Sequence, residues 1–218
     1  MRLHAIMTTK RRVPFLVLAG MLALAGCGSS DPDYYTLKPW PGSALAGGPL
    51  TLKIETPSVA GYLDRDYIVA DDRSYKLKLD GDAAWGEPLG GMIGQTLAQD
   101  LQQRLPGTTV FTQSGAISTE AQATLELNVA RFSKTRDGDV EITAALSAQR
   151  ADHGDGAPPA QAQTIHLTMT PTGTGMPALV ASLSQLLGQV ADQAAHDARA
   201  LGPLGPAPIP VASSLPPG

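Results

Sequence analysis

A single cysteine, Cys27, occurs in a chain of 218 residues. No disulfide can form within the chain, so its fold must be held by buried apolar surface rather than by cross-links. The apolar residues are spaced for that. Leu89, Ile93, Leu97, Leu101 and Leu105 recur every fourth residue, and Ala98 widens the stripe. This predicts a helix opened by Pro88 beside Glu87 and closed by Pro106-Gly107. Gln95, Gln99, Asp100, Gln102, Gln103 and Arg104 are expected to form its solvated side. A second helix is expected from about Pro177 to Leu201, with Leu179, Val180, Leu183, Leu186, Leu187, Val190 and Ala194 as its stripe and a less apolar far end.

Alternation of period two supplies the strands. Leu50 to Glu55 alternates apolar and polar, and Pro57 stops it. Tyr34 to Leu37, Tyr67 to Ala70 and Ser74 to Leu79 are shorter, the last with Tyr75, Leu77 and Leu79 on one face. Asp71-Asp72 and Asp80-Gly81-Asp82 read as turns. Thr108 to Phe111 is expected to follow the first helix as a strand. Ala123 to Phe132 and Val140 to Ala148 form a hairpin through Arg136-Asp137-Gly138-Asp139, because Asp-Gly supplies positive φ. After a looser turn at His153 to Pro159, Thr164 to Thr170 completes a meander with Ile165, Leu167 and Met169 inward. The expected fold class is α/β (or α+β), a mixed β-sheet of about six strands with two main helices packed on it.

Residues 1–26 stand apart from this domain. Arg2, Lys10, Arg11 and Arg12 make a basic front, and no acidic residue precedes Asp31, whether synthesis starts at Met1 or Met7. The apolar run Val13 to Ala23 is shorter than the roughly 20 residues a spanning helix needs, so the segment reads as a signal peptide. Leu24-Ala25-Gly26-Cys27 resembles the bacterial lipobox. That implies diacylglyceryl transfer to the Cys27 thiol, cleavage before it, and acylation of the new amino terminus by a palmitate-type chain. Several acyl chains, at about 0.8 kcal/mol per buried methylene, make a lasting anchor. Gly28, Ser29 and Ser30 place no Asp directly after the cysteine, which by resemblance to enterobacterial sorting implies the outer membrane.

The expected organisation is a signal peptide over 1–26, a lipidated tether over 27–33, a domain over 34–201, and a Pro-rich disordered tail over 202–218. Loss of the leader removes four basic and no acidic residues, taking the formal charge from −4 to −8. An acidic surface argues against nucleic acid and against electrostatic adhesion to anionic headgroups.

No catalytic constellation is visible. Gly-x-Ser-x-Gly, Walker and dinucleotide patterns are missing, and Gly90-Gly91 and Gly94 fall inside a helix with no strand leading directly into them. His153, His166 and His196 lack metal-ligand spacing, and Asp71-Asp72 and Asp80/Asp82 lack the closing Glu of a calcium loop. No enzyme activity, cofactor or metal is expected.

From Tyr62-Leu63-Asp64-Arg65 onward the chain resembles the ABC-type transport auxiliary lipoproteins, the PqiC-like subunits of membrane-integrity and intermembrane lipid transport systems. The resemblance rests on Tyr34-Tyr35-Thr36-Leu37, on Pro57 through Arg65, and on Trp85-Gly86-Glu87-Pro88-Leu89. Leu97-Ala98-Gln99-Asp100-Leu101, Arg104-Leu105-Pro106, Val129-Ala130-Arg131-Phe132 and Ser182-Leu183-Ser184-Gln185 extend it. Asp66-Tyr67 and Leu146 depart from the family's usual Pro-Gln and Trp.

The resemblance implies a periplasm-facing outer-membrane lipoprotein that acts as a docking and assembly module. Its partners would be an MCE-domain periplasmic protein and inner-membrane transport components, and it would form a homo-oligomeric ring. A carrier that binds a lipid or other apolar ligand in its own cavity is the alternative. Tyr34, Tyr35, Tyr62, Asp64 and Arg65 are the candidate interface, since Tyr and Arg are enriched at binding hot spots. A structural role is the competing reading, in which Asp64 and Arg65 orient a loop through an internal ion pair. Trp85 is expected in the core or against a helix.

Overall fold

The computed structural model describes residues 31–73, 76–114, 120–152 and 159–202. The leader, Cys27, the turn around His153 and the tail from residue 203 lie outside the described residues. So do Ser74 and Tyr75.

The two strongest alternating segments make the centre of the sheet. After β1 (Asp33–Tyr35), β2 (Thr51–Ile54), β3 (Ser58–Val59), β4 (Tyr67–Arg73), β5 (Lys76–Trp85) and β6 (Thr109–Thr112) come β7 (Ala123–Lys134), β8 (Val140–Arg150) and β9 (Gln161–Met169). β7 and β8 pair antiparallel along nearly their whole length. Their turn closes through Thr135 N–H donating to Asp139 O at 2.6 Å, with Gly138 at φ +97°. β9 adds antiparallel to β8, and β2 lies parallel to both β7 and β6. The order is β6-β2-β7-β8-β9, with β3 resuming alongside β7 once Pro57 has interrupted β2. This is the expected mixed sheet of six strands.

Parallel neighbours need a crossover, and between β2 and β6 it includes α1 (Leu89–Arg104). Leu89, Ile93, Leu97, Leu101 and Leu105 are all buried, as their spacing requires. Gly90 and Gly94 serve packing. A Cβ on Gly90 would lie 2.6 Å from the Pro57 carbonyl oxygen, and one on Gly94 would lie 2.9 Å from the Pro57 ring. The helix can meet the strand break at Pro57 only where it has no side chain.

α2 (Gly175–Ala200) packs on α1 and across β7, β8 and β9. Its alanine-rich end is buried as fully as its leucines, with Ala191, Ala194, Ala195 and Ala198 inside. Each large aliphatic side chain in this layer contributes about 1.5–3 kcal/mol on burial. Among the described residues, no helix is long and apolar enough to cross a membrane.

A second sheet, β1-β5-β4, departs from expectation. Asp71-Asp72 and Asp80-Gly81-Asp82, expected as turns, lie within β4 and β5. The ladder Asp71↔Lys78 and Asp72↔Leu77 overrides the turn preference of the first pair, while Asp80-Gly81-Asp82 fall at the register shift between Val69↔Leu79 and Tyr67↔Ala84, where Asp82 N–H donates to Asp80 Oδ1 at 3.1 Å. Leu77 and Leu79, expected to share one face of their strand, are 41% and 42% exposed. The other end of this sheet joins the core, through Ile68, Val69, Ala83 and Trp85, whose ring lies 6.4 Å from Phe132 between centroids.

Candidate interaction surface

The small sheet brings two tyrosines to its surface. Tyr34 on β1 and Tyr67 on β4 both pair with Ala84 of β5, so they flank a small residue on one face. With Pro32, Asp66, Trp85, Gly86, Glu87 and Pro88 they line a groove of about 290 Å³. Trp85 N–H donates to Asp66 O at 2.7 Å and Gly86 N–H to Tyr35 O at 2.8 Å, which fixes the floor. Tyr34 is 69% exposed. Aromatic walls with Asp66 and Glu87 alongside form a surface suited to a protein partner.

The other candidates do not share this groove. Tyr35 turns against the core. Tyr62 donates its hydroxyl to Ala130 O at 3.0 Å, tying its loop to β7. Leu63 is buried, and the turn closes through Leu63 N–H to Ala60 O at 2.7 Å. Asp64 and Arg65 project from that turn, exposed. Among the described residues no ion pair joins them, so the internal-pair reading fails: Leu63 and backbone bonds hold the loop instead. Tyr67 and Glu87 were not marked as interface residues by the sequence, because nothing in a short strand pattern reveals which face of the strand leaves the core.

The chief electrostatic feature is buried. Asp100 and Arg104, expected on the solvated side of α1, are 0% and 1% exposed. The loop around Trp40 and the facing turn of α2 cover that flank. Arg104 Nε donates to Asp192 Oδ1 at 2.6 Å, Nη2 to Gly188 O at 2.9 Å, and Nη1 to both Trp40 O and Asp100 O at 3.1 Å. Trp40 N–H donates to Asp100 Oδ1 at 2.7 Å, while Asp100 Oδ2 has no partner among the described residues. One guanidinium therefore joins α1, α2 and the loop that leads from β1. The lack of a side chain at Gly42 leaves room for it.

Burial raises the Asp100 carboxyl from 3.8 to about 6, against the lowering effects of the Trp40 N–H and Arg104, with Asp192 adding to the rise. The folded pKa lies above the unfolded one, so this group's stabilisation is complete below pH 3.8 and is lost as pH rises through about 6. The shift corresponds to roughly 3 kcal/mol at most. Asp100→Asn is expected to remove that term. Its stability relative to wild type should improve between pH 4 and pH 7.5 in urea unfolding. Equal pH slopes for the two proteins would show that Asp100 does not titrate there.

No three His, Cys, Asp or Glu side chains converge as a metal site among the described residues. His166 Nδ1 instead lies 2.8 Å from Thr143 Oγ1. An open groove of about 700 Å³ lies on the uncovered sheet face, lined by Glu55, Ser58, Glu126, Asn128, Ser147 and Thr164 among others.

A domain with these features belongs to a recognisable class. Residues 35–195 match the ABC-type transport auxiliary lipoprotein component, and the chain belongs to that family. It is also similar to a particular transport protein, the intermembrane transport lipoprotein PqiC of Escherichia coli K12. The two are 30% identical over 134 residues, 59% of this chain and 70% of that protein. The Shigella flexneri PqiC matches to the same extent. Two crystal structures share the fold. One, of an uncharacterized protein, has a TM-score of 0.62 at 22% identity and covers 77% of this chain and 98% of its own. The other, of a Xanthomonas campestris protein, has a TM-score of 0.55 at 16% identity, with coverage of 76% and 90%. The curated relatives are transport lipoproteins rather than enzymes.

Proposed function

We propose that this chain is a non-enzymatic docking subunit of an MCE/ABC-type intermembrane lipid transport system. It is anchored in the outer membrane through Cys27, faces the periplasm and assembles into a homo-oligomeric ring. The family match over nearly the whole domain carries the reading. Its MCE-domain partner meets the exposed groove of Tyr34 and Tyr67, close in sequence to the anchor. Inner-membrane components supply the energy.

The carrier alternative finds less support. An apolar ligand needs an enclosed apolar cavity, whereas the 700 Å³ groove on the sheet face is open and has Glu55, Glu126, Asn128 and Gln163 in its lining. The test is cross-linking and pull-down of the full-length, membrane-anchored protein. An MCE-domain protein is expected in the eluate. Its absence, with stoichiometric phospholipid extracted from the purified protein, would replace the docking role with the carrier role.

A further inference from the structure

Among the described residues, the exposed large apolar side chains are Tyr34, Trp40, Leu50, Tyr67, Leu77 and Leu79. Tyr34 and Tyr67 wall the interaction groove, and Trp40 lies against Gly188. Leu50 stands singly at a strand start, which is ordinary on a protein surface. Leu77 and Leu79 are different. They stand two apart on β5, so they share one face of the strand, and both leave the core.

We infer that the Lys76–Leu79 stretch of β5 rests in the headgroup region of the anchoring membrane, with Leu77 and Leu79 entering lipid. The inference rests on the acylation of Cys27 in the proposed function. It adds to that reading a fixed face of the domain toward the bilayer.

Three observations favour a lipid surface. The first is reach. β1 runs parallel to β5, with Asp33 opposite Ala83. The chain before Asp33 therefore leaves β1 toward the end of β5 where Leu79 and Leu77 stand. Cys27 precedes Asp33 by six residues, and Leu77 precedes Ala83 by six. Six residues extend at most about 22 Å. The tether is long enough to bring the acylated residue level with Leu77 and too short to pass far beyond it.

The second is charge. Without its leader the chain is acidic, at −8. From Arg73 to Leu79 it holds Arg73, Lys76 and Lys78 and no acidic residue, although Asp71 and Asp72 lie across the ladder from Lys78 and Leu77. Repulsion from anionic headgroups is therefore small here, where the domain as a whole is repelled. Asp80 and Asp82 follow at once on β5 and limit how deep the strand can enter.

The third is pattern. Lys76-Leu77-Lys78-Leu79 alternates basic and apolar residues, the strand counterpart of an interfacial helix with one basic and one apolar face. Lysine stems can lie along the apolar boundary while their ammonium groups stay in water. Two leucines hold a free domain weakly. On a tethered domain the same contact acts within one molecule and orients it.

The test uses the full acylated chain in vesicles of phosphatidylethanolamine with phosphatidylglycerol. Its intact mass is measured first, because a chain without acyl mass would overturn the anchor and this inference together. A cysteine then replaces Leu77, Leu79 or, as control, Gln102 on α1, and carries an environment-sensitive fluorophore. Lipid brominated high on its acyl chains is expected to quench the Leu77 and Leu79 probes roughly threefold more than the Gln102 probe. With the acylated mass in place, three results would overturn the inference alone. They are probes in water at both leucine positions, equal quenching at Gln102, and blue-shifted but unquenched probes. The last would put protein, a second copy included, over the patch. As a second measurement, a diazirine phospholipid is photolysed beside the chain with its natural leucines. Adducts are expected on the peptide holding Leu77 and Leu79. Leu77→Asp with Leu79→Asp should reduce them roughly tenfold with an unchanged circular dichroism spectrum. Undiminished adducts would overturn the inference.

Discussion

Arg104→Met is expected to lower the unfolding free energy by about 3–5 kcal/mol, the range for leaving half of a buried ion pair alone. The side chain is 1% exposed and makes four hydrogen bonds, three of them to the carbonyls of Trp40, Asp100 and Gly188. Methionine fills much of the volume and supplies none of the donors. Three acceptors and the Asp100 carboxyl would then stay buried beside an apolar chain. Arg104→Lys should recover less than half of the loss, because one ammonium cannot reproduce a fork that spans two helices and a loop. Asp192→Asn should cost less than about 1 kcal/mol, since that carboxylate side chain is 48% exposed and water screens it. Urea unfolding of the three variants at pH 7 gives the comparison. An Arg104→Met protein within 1 kcal/mol of wild type would mean the clasp is not a stabilising element.

Cys27→Ala should have the largest effect on location. On fractionation, the protein is expected to move from the membrane pellet to the soluble fraction almost completely, while thermal unfolding of the domain stays unchanged. No helix among the described residues can span a bilayer, and the acidic domain has no electrostatic attraction to anionic lipid. On the proposed lipidation of Cys27, several acyl chains would provide nearly all of the affinity, and the substitution removes their attachment point. A Cys27→Ala protein that stays in the pellet would assign membrane binding to the domain itself.

The fold was readable where periodicity was long. The stripe from Leu89 to Leu105, the alternation through β7 and β8, and the Asp-Gly turn at Gly138 each specified their element and its inner face. Legibility failed where tertiary contacts overrule local preference. Asp71-Asp72 look like a turn but pair as a strand with Lys78 and Leu77, whereas Asp80-Gly81-Asp82 sit in the register break of β5, where Asp82 N–H donates to Asp80 Oδ1. Asp100 and Arg104 look like one half of a polar helix face. Only the positions of the Trp40 loop and α2 bury them, and an Asp and Arg four apart flanking an apolar stripe would be the sole hint.

The candidate site divided in the same way. Tyr34 is exposed. Tyr35 and Tyr62 are held by the fold, and Asp64 and Arg65 project without partners among the described residues. Tyr67 joined Tyr34 through the register of β5, which no single strand reveals.

The proposed role requires that a transport partner dock in the groove of Tyr34 and Tyr67, close in sequence to the proposed anchor at Cys27. The most direct measurement is photo-crosslinking in intact cells from a reactive amino acid placed at Tyr34, with Gln102 on α1 as the control position. The account predicts an adduct with an MCE-domain protein from Tyr34 and none from Gln102. Adducts from Tyr34 that contain only phospholipid, or no adduct at all, would contradict it.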